Sequence, residues 1–168
     1  MLVGVIADTH DNVPAVEAAL AAFDERGVEV VIHCGDVISP PVVSHFSGFE
    51  LHAVLGNNDG ELDGLDRAIR ALGNDSDLHG RFADLEFGGA HFAVLHGEDR
   101  DQVDTLAAGG GFDYVCYGHH HVAEVREVGP TTVINPGAQF PTVPEEHRSV
   151  AVVDTDGGDV ELVAVGAD

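Results

Sequence analysis

From residue 2 to residue 7 the chain is apolar without a break (LVGVIA), the kind of run that a parallel strand buried on both faces carries. Residues 14–26 then place Val16, Ala19, Leu20 and Phe23 at helical spacing and stop at Gly27. The alternation repeats. Residues 28–34 read as a strand, 40–47 as a short helix opened by proline, 51–55 as a strand, and 62–72 as a helix closed by Gly73. Three βα units are therefore expected first. The second half changes character: residues 81–87 and 91–95 flank Gly88-Gly89 as a hairpin, and a helix over 99–108 runs into Gly109-Gly110-Gly111. Only strands follow, at 114–117, 123–128, 132–134, 150–154 and 160–165, separated by turns such as Gly129-Pro130 and Asp156-Gly157. The pattern predicts an α/β protein, a four-layer α/β/β/α sandwich of two packed mixed sheets with helices outside. At 168 residues one domain spanning 1–168 is expected, burying about 70% of the surface its unfolded form exposes.

Short polar motifs follow the ends of these strands in order: Asp8-Thr9-His10, Gly35-Asp36, Gly56-Asn57-Asn58-Asp59, His96-Gly97 and Gly118-His119-His120-His121, with Asn135-Pro136-Gly137 behind them. The carboxyl ends of strands are where open α/β sheets place their chemistry, and all but the last motif offer an oxygen or imidazole nitrogen to a divalent cation. Asp8 and His10 are one residue apart, so an extended segment would aim both side chains at one metal. Asp8 could instead cap the next helix, but Asn12 is better placed for that before Pro14. Asp36 offers two oxygens, as bridging two cations requires, and Gly35 before it permits a close backbone approach. Asn57 offers a neutral carbonyl oxygen, a ligand that adds no negative charge. His119 and His121 should share one side and His120 face the other. His33, His45, His52, His79, His91 and His147 read as ordinary core or surface histidines.

Together these motifs resemble the calcineurin-like metallophosphoesterase superfamily, closest to its small YfcE-like phosphodiesterases, over residues 2 to about 154. The resemblance implies a metal-dependent phosphoesterase acting on a small phosphate-ester substrate through a hydroxide activated by two divalent ions. One ion would take Asp8, His10, Asp36 and His121, and the other Asp36, Asn57, His96 and His119, about 3.5–4 Å apart. Asp36 would bridge them, and Asp59 would orient a histidine from outside the ligand set. Donors of oxygen and nitrogen without thiolate suit Mn²⁺, the first choice, as well as Ni²⁺, Co²⁺, Fe or Zn²⁺. The expected catalytic group is Asp36, Asn57, Asn58, Asp59 and His96. Three positions depart from the superfamily. Asn58 stands where many members carry a histidine that contacts phosphate, and asparagine cannot donate a catalytic proton. Glu98 replaces the second histidine of H-G-H, and Ala138 the usual serine after N-P-G. The alternative of another class is a non-catalytic metal-binding scaffold acting in protein–protein interaction, similar to the retromer subunit of this fold, but all seven proposed ligands are present here.

Composition narrows the setting. Thirty acids stand against seven basic residues, all of them arginine, for a formal net charge of −23. Such a chain has no basic nucleic-acid groove, and its acids, spread along the whole length, match a halophilic composition. No apolar run approaches the roughly 18 residues of a membrane span and no basic leader precedes the first strand, so a cytoplasmic protein is expected. Cys34 and Cys116 end apolar strands without a C-x-x-C pattern and read as buried free thiols. A homo-oligomer is compatible with the sequence.

Overall fold

The structure is a computed structural model and describes residues 1–166. It has two mixed sheets and four helices. The first sheet carries β1 (Leu2–Ile6), β2 (Val30–His33), β3 (Glu50–Ala53) and β4 (Asp77–Leu78) in parallel, with β10 (Ser149–Asp154) antiparallel to β1 and β11 (Val160–Ala164) antiparallel to β10. The second carries β5 (Phe82–Phe87), β6 (Ala90–Leu95), β7 (Tyr114–Cys116), β9 (Thr131–Asn135) and β8 (Glu124–Val128), in that spatial order. Here β6, β7 and β9 are parallel, and β5 and β8 run antiparallel at the edges.

Three apolar layers hold this together. Helices α1 (Val13–Arg26), α2 (Pro40–Val43) and α3 (Leu62–Ala71) cover the outer face of the first sheet, where Phe23, Phe46, Leu51, Leu65 and Ile69 meet. Phe23 is wholly buried, and a side chain on Gly4 of β1 would collide with its ring at 2.8 Å. Burial of that ring contributes roughly 2–3 kcal/mol. Between the sheets, Val3, Val5, Ile32, Val54, Phe92, Cys116 and Ile134 interdigitate. On the far side α4 (Arg100–Gly109) sets Val103 and Ala107 against Leu95, Val115 and Val133. The expected four-layer order is therefore the one observed. Both cysteines are buried and free.

Differences from the sequence reading are local. Residues 40–47 are α2 followed by a 3₁₀ turn, Ser44–Phe46. Strand β4 was not expected: it follows a turn through Asn74 and Asp75, both with positive φ, and its two residues carry no apolar run. Asn12 stands at the N-cap of α1 but does not cap it with its side chain; its Nδ2 donates instead to the Gln139 carbonyl at 2.5 Å. Asp99 does cap α4, accepting from Asp101 N at 3.0 Å.

The arginines pair with few of the acids, for example Arg26 with Glu161 and Arg70 with Asp66 and Asp77. Most of the remaining negative charge faces solvent and repels itself, and only screening relieves this. The melting temperature is therefore expected to climb as KCl rises from low to molar concentration. A flat or falling curve in scanning calorimetry would reject the halophilic expectation.

Candidate metal centre

All nine predicted site residues come from loops at one end of the parallel strands. Asp8 to Asp11 follow β1, Asp36 follows β2, Asn57 to Asp59 follow β3, His96 follows β6, and His119 to His121 follow β7. The loops are laced together by backbone hydrogen bonds. Asp8 N donates to Gly35 O at 3.0 Å, His10 N to Asp36 O at 3.1 Å, and Gly118 N to His96 O at 2.8 Å.

Five of these residues, and Asp11 beside them, do not have the extended backbone that side-chain alternation presumes. Asp8, His10, Asp11, Asp36, His119 and His121 have φ between 44° and 67°, in the left-handed region. The predicted facing nevertheless results. His10 Nε2 lies 3.7 Å from Asp8 Oδ1, and His119 and His121 turn toward Asn57 and Asp8 while His120 Nε2 bonds the Gly97 carbonyl at 2.9 Å. Left-handed non-glycine backbone costs energy and persists where surrounding structure fixes it. Gly35, at φ 100°, is required for closeness as well: a Cβ there would stand 2.7 Å from His96 Nδ1 and 2.8 Å from Gly56 N.

At the centre, acceptor atoms converge. Asp36 Oδ2 is 3.2 Å from His10 Nε2 and 3.4 Å from His96 Nε2. Asp8 Oδ1 is 3.4 Å from His121 Nε2 and 3.8 Å from His96 Nε2. Asn57 Oδ1 sits 3.0 Å from His96 Nε2 and 3.1 Å from His119 Nδ1. The Nδ1–H of His96 donates to the Cys34 carbonyl at 2.8 Å, which turns the Nε2 lone pair toward these oxygens. Among the described residues, two groups have ligand atoms close enough to share one ion, Asp8 with His10 and His121, and Asp8 with Asp36 and His96. Asp8 thus belongs to both, alongside the Asp36 expected to bridge.

Electrostatics follow the same geometry. Burial would raise the Asp36 carboxyl, but the His10 and His96 imidazoles beside it and the hydrogen bonds from Asn58 hold it well below the usual range. Asp8 is likewise lowered against its burial by His10 and His121. Contact with Asp36 and then Asp8 lifts His10 to about 9. Burial, reinforced by His96 and His120, lowers His119. A divalent cation suits this set: Asp8 Oδ1 and His10 Nε2 are buried polar atoms with no hydrogen-bond partner among the described residues, and the potential ligand atoms of Asp8, Asp36, Asn57 and four imidazoles converge there.

Two predicted residues act differently from expectation. Asp59 touches no histidine. Its Oδ2 accepts from Asp36 N at 2.9 Å and Gly56 N at 2.8 Å, and its Oδ1 from Ile38 N at 2.7 Å, so it fastens the Asp36 loop. Asn58 folds onto Asp36, its N donating to Oδ1 at 2.9 Å and its Nδ2 to Oδ2 at 2.7 Å. Other supports were not foreseen. Asp11 holds Ser39 through N and Oγ at 3.0 and 2.7 Å, tying the β1 loop to the start of α2. The Phe140 ring packs at a tilt 4.8 Å from His10 and edge-on 4.7 Å from His121. Asn135 of the N-P-G motif donates to Gly118 O at 3.2 Å and accepts from Gly137 N, bracing the triple-histidine loop. His33 is a satisfied core residue as expected. Its Nδ1 accepts from Gly35 N at 3.1 Å, its Nε2 meets Thr9 Oγ1 at 3.0 Å, and burial pushes it down to about 4.

Comparison with known proteins places the fold in a family. The sequence profile of the calcineurin-like phosphoesterase superfamily domain matches residues 1–158. A phosphodiesterase of Methanocaldococcus jannaschii is 34% identical over 139 residues, 82% of this chain and 83% of the relative. The solved structure of an archaeal phosphodiesterase superposes with a TM-score of 0.89 at 30% identity, covering 98% of this chain and 99% of that one. Two more distant structures share the fold. The phosphoesterase YfcE of E. coli has a TM-score of 0.68 at 20% identity, covering 99% and 100% of the two chains. Vps29 of Entamoeba histolytica, solved with zinc, has 0.64 at 18%, with the same coverage.

Proposed function

We propose that this chain, which belongs to the calcineurin-like phosphoesterase superfamily, is a phosphodiesterase that works with two divalent cations. The observation that carries the reading is that Asp8 Oδ1 and His10 Nε2 are buried without a hydrogen-bond partner among the described residues, inside a ring of carboxylate, amide and imidazole ligand atoms. Each orphaned buried polar atom costs about 1–3 kcal/mol unless a ligand completes it, which supports a bound cation, and the phosphodiesterase relative at 34% identity supports catalysis over a metal-binding scaffold. Asp8, His10, Asp36 and His121 would hold one cation, and Asp36, Asn57, His96 and His119 the other. When bound, such ions polarise phosphate oxygens and lower the pKa of water enough to supply a nucleophile near neutral pH. Mn²⁺ is the first metal to test with this oxygen and nitrogen donor set.

The protein's own residues aim and tune. The Cys34 carbonyl fixes the His96 tautomer, and Asn58 orients both oxygens of Asp36. Asn57 adds an oxygen without adding charge, which keeps the mouth of the site less repulsive to an anionic ester. Asn58 can hold a carboxylate but cannot protonate a leaving oxygen, so esters with good leaving groups are the favoured substrates. Hydrolysis of bis(p-nitrophenyl) phosphate should accordingly appear in metal-loaded protein, vanish in protein stripped by chelation, and return on adding Mn²⁺. Equal rates from protein shown by elemental analysis to be metal-free would end this reading.

A further inference from the structure

A cleft of about 260 Å³ opens beside the metal centre, on the side of His96. Leu55 and Leu95 form its floor, with Arg81, Phe82 and Gln102 around it. Both floor residues sit next to proposed ligands: Leu95 precedes His96, and Leu55 lies two residues before Asn57. Phe82 pairs directly across from Leu95, so the two side chains share one face of the second sheet. Yet Phe82 is 41% exposed; Phe112 packs edge-on against it at 6.3 Å and leaves ring surface uncovered. Arg81 has neither an ion pair nor a side-chain hydrogen bond among the described residues, unlike Arg26, Arg70, Arg100 and Arg126, which all face carboxylates. In a chain of net charge −23, a cation left free beside the reaction site is notable.

We propose that this cleft is a subsite for one ester arm of the substrate, and that the arm is a nucleoside base. The idea rests on the phosphodiesterase reading and names the substrate class. The volume lies below the roughly 300–1,000 Å³ of sites that enclose drug-sized ligands, so it suits a single ring system. Arg81 and Gln102 share the rim with Glu98 and Asp99. That mixture opposes a second anionic group and suits a neutral one with both donors and acceptors. A planar base meets these conditions, with Phe82 as its stacking surface and the phosphate seated over Asn57 and His96.

Two diesters with the same leaving group test this. Thymidine 5′-(p-nitrophenyl) phosphate carries a base, and methyl p-nitrophenyl phosphate does not. With metal-loaded protein, kcat/KM should favour the thymidine ester at least about tenfold, the scale on which base–aromatic stacking is lost on truncation. Phe82→Ala and Arg81→Ala should each bring that ratio toward one, and Phe82→Tyr should keep it. A second readout needs no turnover: calorimetric dissociation constants for thymidine monophosphate and methyl phosphate should differ in the same direction and converge in Phe82→Ala. If neither ester is hydrolysed but the binding preference for the nucleotide and its loss in Phe82→Ala persist, the subsite stands and the phosphodiesterase reading falls. If both esters are cleaved with equal kcat/KM, or the ratio survives Phe82→Ala, the subsite is overturned.

Discussion

Asp36→Asn is expected to leave a folded protein that binds less than two equivalents of metal and hydrolyses aryl phosphodiesters more than about 10²-fold more slowly, since 10–100-fold is already typical for losing a partner outside the ligand set. The substitution conserves shape and removes one charge from the point where the ligand groups overlap. Asp36 Oδ2 faces both His10 and His96, at 3.2 and 3.4 Å, so a neutral amide there weakens the hold on both proposed cations at once. One of its atoms would also become an N–H donor, set against either the Asn58 backbone N–H or the Asn58 amide. Elemental analysis of dialysed protein and steady-state kinetics read the two effects separately. Two tightly held metal ions with near-native kcat in the variant would remove Asp36 from the centre of the mechanism.

Strand-end placement of the polar motifs was legible because it depends only on where apolar runs stop. The runs ending at Ala7, Cys34, Leu55 and Leu95 fix where Asp8, Asp36, Asn57 and His96 emerge, and the layers covering those strands follow from their lack of a polar face. Facing within the motifs came out right for a reason the sequence does not display. Side-chain alternation presumes an extended strand, whereas Asp8, His10, His119 and His121 adopt left-handed backbone imposed by hydrogen bonds to loops distant in sequence, such as His119 N to Asp8 Oδ2 at 2.9 Å. Non-local contacts of that kind leave no periodic trace. Phe140 was missed for the same reason: it reaches His10 and His121 only because Gln139 N is tied to Asp8 O, and a lone phenylalanine five residues after Asn135 looks like any other. Strand β4 escaped because two residues are too short to show a pattern. Asp59 lies beside Asp36, but its partners are backbone amides, which no side-chain motif reveals.

Asp59→Ala should therefore cost stability and metal affinity together, although Asp59 contacts none of the proposed ligand atoms. Its carboxylate is 8% exposed and takes three backbone donors, from Asp36, Ile38 and Gly56. Hydrogen bonds to a charged group contribute about 1.5–3 kcal/mol each, and the three are coupled, so a total near 5 kcal/mol is expected. Backbone strain adds to the effect. Ile38 has φ 85°, an outlier for a β-branched residue, and its N–H to Asp59 Oδ1 is one of the contacts holding it there. Without that restraint the Gly35–Ile38 loop can relax, which moves the Asp36 carboxylate and loosens the site. For a chain of this size the melting temperature should fall by roughly 10–20 °C. Metal affinity should fall about 10- to 100-fold, as is typical when a group that orients a ligand is removed. Asp104→Ala serves as the control, because its exposed ion pair with Arg126 is the kind that contributes at most about 1 kcal/mol. Should Asp59→Ala melt within a few degrees of Asp104→Ala and keep its metal, the loop would be held by something other than Asp59, and the strain at Ile38 would have no part in shaping the site.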